Sequence, residues 1–336
     1  MMFGTMKEKI VVLGSNSFSG QDFVDLALDQ DRYEVIGVSR SPEPPPFFLK
    51  YKSNPNVGNF RFYQCDMNHH MSQLCELLDS EKPQHIVNFA AQSEVAPSWE
   101  HPEHWFQTNT VALAFLVNHL RRQNYLRRYL HVSSPEAYGT CVGRVTETTP
   151  DNPSTPYAAS KAAADMLLAV YQKQYGFPLL TVRSTNVYGA RQQLFKIIPR
   201  SVIYCRMKQR IELHGGGHAV KSYIHIRDIS QGELAVLEQG NIGERYHLSP
   251  DGGASVRDIV SMLCELQGIS FAEQCVSVAE RPGQDAAYVI DSTKAREELG
   301  WKPAISISEG LQETISWVSA HWEDIKKQEL QYNHKA

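Results

Sequence analysis

Tyr157 and Lys161 stand four residues apart in PYAASK, a spacing that puts both side chains on one face of a helix. An ammonium beside a phenol favours the phenolate, so the pair predicts a lowered tyrosine pKa and a usable acid/base near neutral pH. Y-x-x-x-K recurs by chance, and the pair gains weight from its surroundings. Ser133 and Ser134 close the run RYLHVSS and can hydrogen-bond a substrate hydroxyl.

A second constellation lies near the start. GSNSFSG, Gly14 to Gly20, follows KIVVL and leads into QDFVDLALDQ. It has the strand-turn-helix context of a dinucleotide phosphate loop, with Ser17 where a middle glycine would let the backbone approach a pyrophosphate. Gly14 can make the tight turn and Gly20 can let helix and strand pack closely. Asn16 and Ser17 can bond phosphate through their side chains, and Phe18 and Ser19 open a helix whose N-terminus attracts anions. About 20 residues on, the ribose-reading position falls in VSRS, with Ser39, Arg40 and Ser41. An arginine there suits a 2′-phosphate, so NADP is favoured and NAD remains possible. Asp66 and Met67 follow the run FRFYQC, where Asp66 can meet an adenine or cap a helix.

These residues need elements to carry them. Short β-branched runs (KIVVLG, YEVIGVSR, FRFYQCD, HIVNFAA, RYLHVSS, PLLTVRSTNVYG) alternate with helical segments over the first 190 residues. That rhythm predicts an α/β doubly wound parallel sheet, with ligands at the carboxyl ends of its strands. Residues 1–190 are therefore expected to form a Rossmann domain. Residues 191–330 are expected to form a smaller mixed region over the ligand edge, with some segments returning to the sheet. The proline-rich stretch from Pro42 to Pro46 reads as an exposed connection between strands, and QYNHKA as a frayed tail.

Composition narrows the class. With 336 residues, 42% apolar and 21% charged, and a net charge of -4, the chain can fill a large core and shows no basic stripe for nucleic acid. Six cysteines without C-x-x-C spacing predict free thiols. The absence of an apolar run near 20 residues predicts no membrane span, and a cytoplasmic protein is expected. His69 and His70, and His101 and His104 in EHPEH, lack a ligand set at metal spacing, so no metal centre is expected. Trp99 and Trp105 are expected to pack.

In the order GSNSFSG, NFAAQS, VSSPEAYG, PYAASK, RSTNVYG, YIHIRD, RPGQDAAYVID and LGWKP, motifs run along almost the whole chain. Their pattern resembles the extended short-chain dehydrogenase/reductase family of nucleotide-sugar epimerases and dehydratases, and is most similar to NDP-hexose 4,6-dehydratases. The resemblance implies an NAD(P)-binding Rossmann domain, a C-terminal nucleotide-sugar region and a homodimer. It implies Ser134, Tyr157 and Lys161 as the catalytic triad, and Ala90, Ala91 and Gln92 against the cofactor. Ser93, Glu94, Asn186, Arg191, Lys221 and Arg281 would face the substrate, with Asn186 and Arg281 near its diphosphate. Glu136, two residues past Ser134, matches the carboxylate by which the dehydratases take the C5 proton.

Departures from the pattern bear on the activity. Pro135 stands where thymidine-diphosphoglucose dehydratases carry aspartate, which the guanosine-diphosphomannose enzymes lack. Glu94 replaces a frequent histidine, Lys221 a frequent arginine, and Ala286 and Ala287 larger polar residues; lysine and arginine are not equivalent at a bidentate phosphate site. A 4-epimerase, with Glu136 structural, and a sugar-acid decarboxylase are the alternative enzymes. A non-catalytic cofactor-sensing Rossmann protein is the alternative of another class, against which Tyr157 and Lys161 both speak.

Overall fold

The structure is a computed structural model that describes residues 7–140, 143–279 and 287–335. Its frame is a seven-stranded sheet. The strands are β1 (Glu8–Leu13), β2 (Tyr33–Ser39), β3 (Phe60–Gln64), β4 (His85–Asn88), β5 (Arg128–Val132) and β6 (Leu179–Ser184), joined by β11 (Arg245–Leu248). The order is β3-β2-β1-β4-β5-β6-β11, and every neighbouring pair is parallel. The order reverses between β1 and β4, the switch point where a doubly wound sheet opens a crevice. Central strands covered on both faces explain the unbroken apolar runs: Ile10, Val11, Val12, Ile86, Val87 and Leu130 are all fully buried.

Helices α1 (Phe18–Asp29), α2 (Met71–Glu81), α3 (Pro102–Phe106), α4 (Leu113–Leu120) and α5 (Pro156–Tyr175) alternate with these strands. Between α3 and α4 the chain makes a π-helical turn over Gln107–Ala112. Residues PLLTVRSTNVYG divide: β6 ends at Ser184, and β7 (Asn186–Tyr188) leaves the main sheet. Beyond it come α6 (Ile197–Met207), β8 (Ile211–His214), β9 (Val220–Lys221) and β10 (Tyr223–His225), which pairs with β7. The chain then re-enters the Rossmann layer through α7 (Ile226–Gln239) and β11.

The proline-rich stretch is more than an exposed connection. It forms 3-10 turns at Pro46–Phe48 and Lys50–Ser53 that bury Leu49 and Tyr51. Trp317, on the helix Ile307–Ala320, donates to the Phe47 carbonyl at 3.1 Å, so this segment ties the two layers together. The tail is docked as well: His334 lies parallel to the Trp105 ring with centres 5.1 Å apart. Frayed ends lack such partners.

Candidate active site

The glycine loop lies at the switch point. Gly14 has φ +82°, and a Cβ there would come within 2.8 Å of the Ala90 nitrogen, so both the backbone sign and the neighbouring β4 loop require glycine. A Cβ on Gly20 would collide with the Gly14 carbonyl oxygen. Ser17 is the N-cap of α1, its Oγ accepting from the Gly20 N–H at 3.0 Å. The N–H groups of Phe18 and Ser19, in the first turn, have no carbonyl within the helix to bond. This cradle fits a pyrophosphate through backbone groups. The expectation that Asn16 and Ser17 grip phosphate by their side chains changes: Ser17 Oγ serves the cap. Asn16 Nδ2 donates to the Ser41 and Pro42 carbonyls at 2.9 and 3.0 Å, and Ser39 Oγ accepts from the Asn16 N–H at 3.0 Å. Ser39 and Ser41 thus shape the loop from the end of β2. Arg40 Nη1 donates to the Lys335 carbonyl at 3.2 Å. Asp66 accepts from the Asn68 N–H at 2.8 Å and so turns the chain after β3 beside buried Met67, without capping α2.

Tyr157 and Lys161 stand on α5, whose start the local sequence dictates. Thr155 is the N-cap, accepting from the Ala158 N–H at 3.1 Å, and Pro156 occupies the first turn. Ser134 follows β5, caps the 3-10 turn Pro135–Tyr138 by accepting from the Glu136 N–H at 3.2 Å, and hydrogen-bonds Tyr157. The turn is pinned where Gly139, at φ +68°, leaves no room for a Cβ beside the Asn152 carbonyl. Ser133 faces elsewhere, donating to Asp165 at 2.6 Å. Of the two serines, Ser134 is the one that meets the tyrosine.

The electrostatics correct one expectation. Burial raises the Tyr157 pKa far above its ordinary value, and the Glu136 carboxylate adds to this against the opposing Ser134 bond. Lys161 instead donates to the Val132 carbonyl at 2.8 Å and sits 3.4 Å from His131 Nε2. Burial pulls its pKa down to about 8, with Asp165 opposing and Arg183 adding to the fall. Burial and the Lys161 charge hold His131 at about 3, so its ring is neutral. Without ligands, Tyr157 is a phenol under the influence of Glu136, and Lys161 is its helical neighbour rather than its direct partner.

Spacing alone could not reveal what supports this cluster. Asp165 accepts from Ser133, from Arg183 Nε at 3.2 Å and from Arg183 Nη2 at 2.6 Å, while Asp151 accepts from Arg183 Nη1 at 2.7 Å. Arg183 and Asp165 are buried. Buried Asn109, on the π-helical turn, accepts from the Gln92 N–H at 2.8 Å. It also donates to the Gln92 carbonyl at 3.0 Å and to Ser160 Oγ at 2.9 Å. It couples the loop after β4, with Ala90, Ala91 and Gln92, to the helix carrying Tyr157. The π turn itself is the only local signal, since such turns often mark functional sites.

The remaining site residues fall in several places. Ser93 and Glu94 border the groove beside Phe195 and Tyr332, with Glu94 paired to Lys196 at 2.6 Å. Asn186 begins β7 and donates its N–H to the Ser222 carbonyl at 3.0 Å. Lys221 lies on β9 and pairs with Ala254. Arg191 has φ +74°, and burial lowers its pKa against the carboxylates of Glu313, Asp22 and Asp25. Arg281 and Ala286 lie outside the described residues.

Fold and cluster together define a dinucleotide-binding α/β enzyme frame with a Ser-Tyr-Lys site at the carboxyl edge of its sheet. Residues 11–314 match the family described as GDP-mannose 4,6 dehydratase, and the chain belongs to that family. A dTDP-glucose 4,6-dehydratase of Xanthomonas campestris is 34% identical over 72% of this chain and 74% of its own. One from Streptomyces niveus is 31% identical over 95% and 96%. Among solved structures, the dTDP-glucose 4,6-dehydratase of Bacillus anthracis in complex with NAD has a TM-score of 0.85 at 28% identity, covering 94% of this chain and 98% of that one. The UDP-glucose 4-epimerase of Thermotoga maritima, solved with UDP-glucose, reaches 0.84 at 25%, covering 94% and 99%. The fold therefore does not separate dehydratase from epimerase, and side chains must.

Proposed function

We propose that the protein is a nucleotide-sugar 4,6-dehydratase that converts an NDP-hexose to an NDP-4-keto-6-deoxyhexose. The observation that carries this reading is Glu136, whose carboxylate lies close enough to Tyr157 to raise its pKa. An epimerase needs Ser134, Tyr157 and Lys161; elimination of water also needs a base for the C5 proton. A nicotinamide dinucleotide, held by Gly14, Gly20 and the first turn of α1, supplies hydride acceptance and return. Tyr157, whose phenolate the positive charge of an oxidised nicotinamide would favour, takes the proton of the C4 hydroxyl, with Ser134 holding that oxygen. The C4 ketone acidifies C5–H, and Glu136 removes that proton as the C6 hydroxyl departs. Pro135 is buried at the start of its turn and offers no acid, so Glu136 or a water protonates the leaving hydroxide. General base catalysis of this kind contributes roughly 10²–10⁴ in rate.

Glu136→Gln tests the assignment. Incubated with TDP-, GDP-, UDP- and CDP-hexoses, it should still exchange the C4 proton and hydride but form no 4-keto-6-deoxy product by mass. Undiminished dehydration would remove Glu136 as the base. C4-inverted product from the wild-type chain would favour the epimerase.

Arg40 favours NADP, while the dTDP-glucose 4,6-dehydratase of Bacillus anthracis was solved in complex with NAD; we read NAD as accepted and Arg40 as the source of any NADP preference. A homodimer is supported by the exposed apolar residues Val111 and Phe115 around α4 and Met166 and Val170 on α5. A reducing compartment such as the cytoplasm suits the five described cysteines, all free; no described helix is long and apolar enough to cross a membrane.

A further inference from the structure

EHPEH offers two histidines and the Glu103 carboxylate, but no third histidine. The fold supplies one from the far end of the chain. His334 Nε2 meets His104 Nδ1 at 2.9 Å. The ring centres of His101, His104 and His334 form a triangle with sides of 5.2, 5.5 and 5.2 Å, and the three planes lie within 22° of parallel. The 5.2 Å between His104 and His334 is their nitrogen separation plus two ring radii, so the rings meet edge to edge. Those two nitrogens therefore face each other in a hydrogen bond, and His104 turns its other nitrogen, Nε2, toward Glu103. The Glu103 carboxylate lies 3.8 Å from His101 Nδ1 and 3.6 Å from His104 Nε2, and the ligating atoms of these three residues fall within 4.8 Å of one another.

We propose that His101, Glu103 and His104 form a site for a divalent transition ion of the zinc, nickel or copper type, for which imidazole is the preferred ligand, with His334 holding the second ring nitrogen of His104 and so orienting that ligand. The site joins the tail to α3. Its consequence lies one residue further on, where the Lys335 carbonyl accepts from Gln92 Nε2 at 2.6 Å and from Arg40 Nη1 at 3.2 Å, and Tyr332 meets Phe195 edge-on at 5.3 Å. The tail therefore engages donors assigned above to the cofactor, and a bound metal would hold it there. This second step rests on the cofactor reading; the metal site does not.

Cobalt(II) titrated into the whole chain without cofactor is the first test. One equivalent should bind with visible absorption of an imidazole-ligated ion, and His334→Ala should weaken binding about tenfold or more while His69→Ala changes nothing. No binding, or equal binding by His334→Ala, overturns the site. Zinc should then lower NAD affinity by about tenfold in the wild type and not in His334→Ala, with NAD lowering zinc affinity by the same factor. NAD affinity indifferent to zinc overturns the strap and leaves the metal result standing.

Discussion

Asp165→Asn removes the carboxylate at the centre of the buried network while preserving its shape. Arg183 then keeps Asp151 alone as counter-ion, and Arg245, 3.9 Å from Asp165, loses a neighbour. Breaking one partner of a buried pair costs about 3–5 kcal/mol; the surviving Asp151 bond argues for the lower figure. An unfolding entropy of about 2.1 cal/mol/K per residue over a chain of this length makes about 3 kcal/mol worth roughly 4 °C in Tm. A second effect is electrostatic. Asp165 opposes the fall of the Lys161 pKa, so its neutralisation should carry Lys161 below about 8. Activity that needs the ammonium is present below the Lys161 pKa and lost as pH rises through it, so the basic limb of kcat/KM should move to lower pH. Differential scanning calorimetry and a pH–rate profile read the two effects separately. An unchanged Tm together with an unmoved basic limb would show that Asp165 neither balances Arg183 nor sets Lys161.

Gly20→Ala should abolish dinucleotide binding by calorimetric titration, because the new methyl meets the Gly14 carbonyl oxygen and the loop must open; overpacking of this kind costs about 1–3 kcal/mol in stability as well. Asn109→Ala unpairs the Gln92 backbone and should lower kcat about tenfold at roughly 1–3 kcal/mol per orphaned group, with partial rescue by Asn109→Ser. In wild type, kcat/KM should fall as pH rises through about 8, the value to which burial brings Lys161; a profile flat to pH 9.5 contradicts that assignment. Arg40→Ala should weaken NADP binding and spare NAD. Phe115→Asp, on the exposed apolar face of α4, should yield monomers by analytical ultracentrifugation.

The sheet was readable because KIVVL, HIVNF and RYLHV are buried on both sides and carry no alternation to mistake. Tyr157 and Lys161 were readable as helical neighbours because a spacing of four is a local signal. What stayed hidden is long-range or depends on orientation. Nothing in RYLHVSS says that Ser133 turns to Asp165 and Ser134 to Tyr157. The pKa of Tyr157 depends on how deeply it is buried and on Glu136, both set by the turn ending at Gly139. Arg183 looks like an ordinary end-of-strand arginine until Asp151 and Asp165 arrive from two other segments. His334 was invisible as a partner of His104 because 230 residues separate the two.

The late return of β11 to the main sheet sets an order in time. Tyr157 and Lys161 leave the ribosome long before Arg245 and His247, which close the edge beside β6. Until then, Asp165 lacks one of its cations, and Tyr138 lacks the His247 nitrogen that its hydroxyl meets at 2.8 Å. A nascent chain stopped short of Arg245 therefore contains Ser134, Glu136, Tyr157 and Lys161, yet its ion network is incomplete. Such intermediates are the natural clients of chaperones, and release of the catalytic helix into its final setting should wait on the last strand.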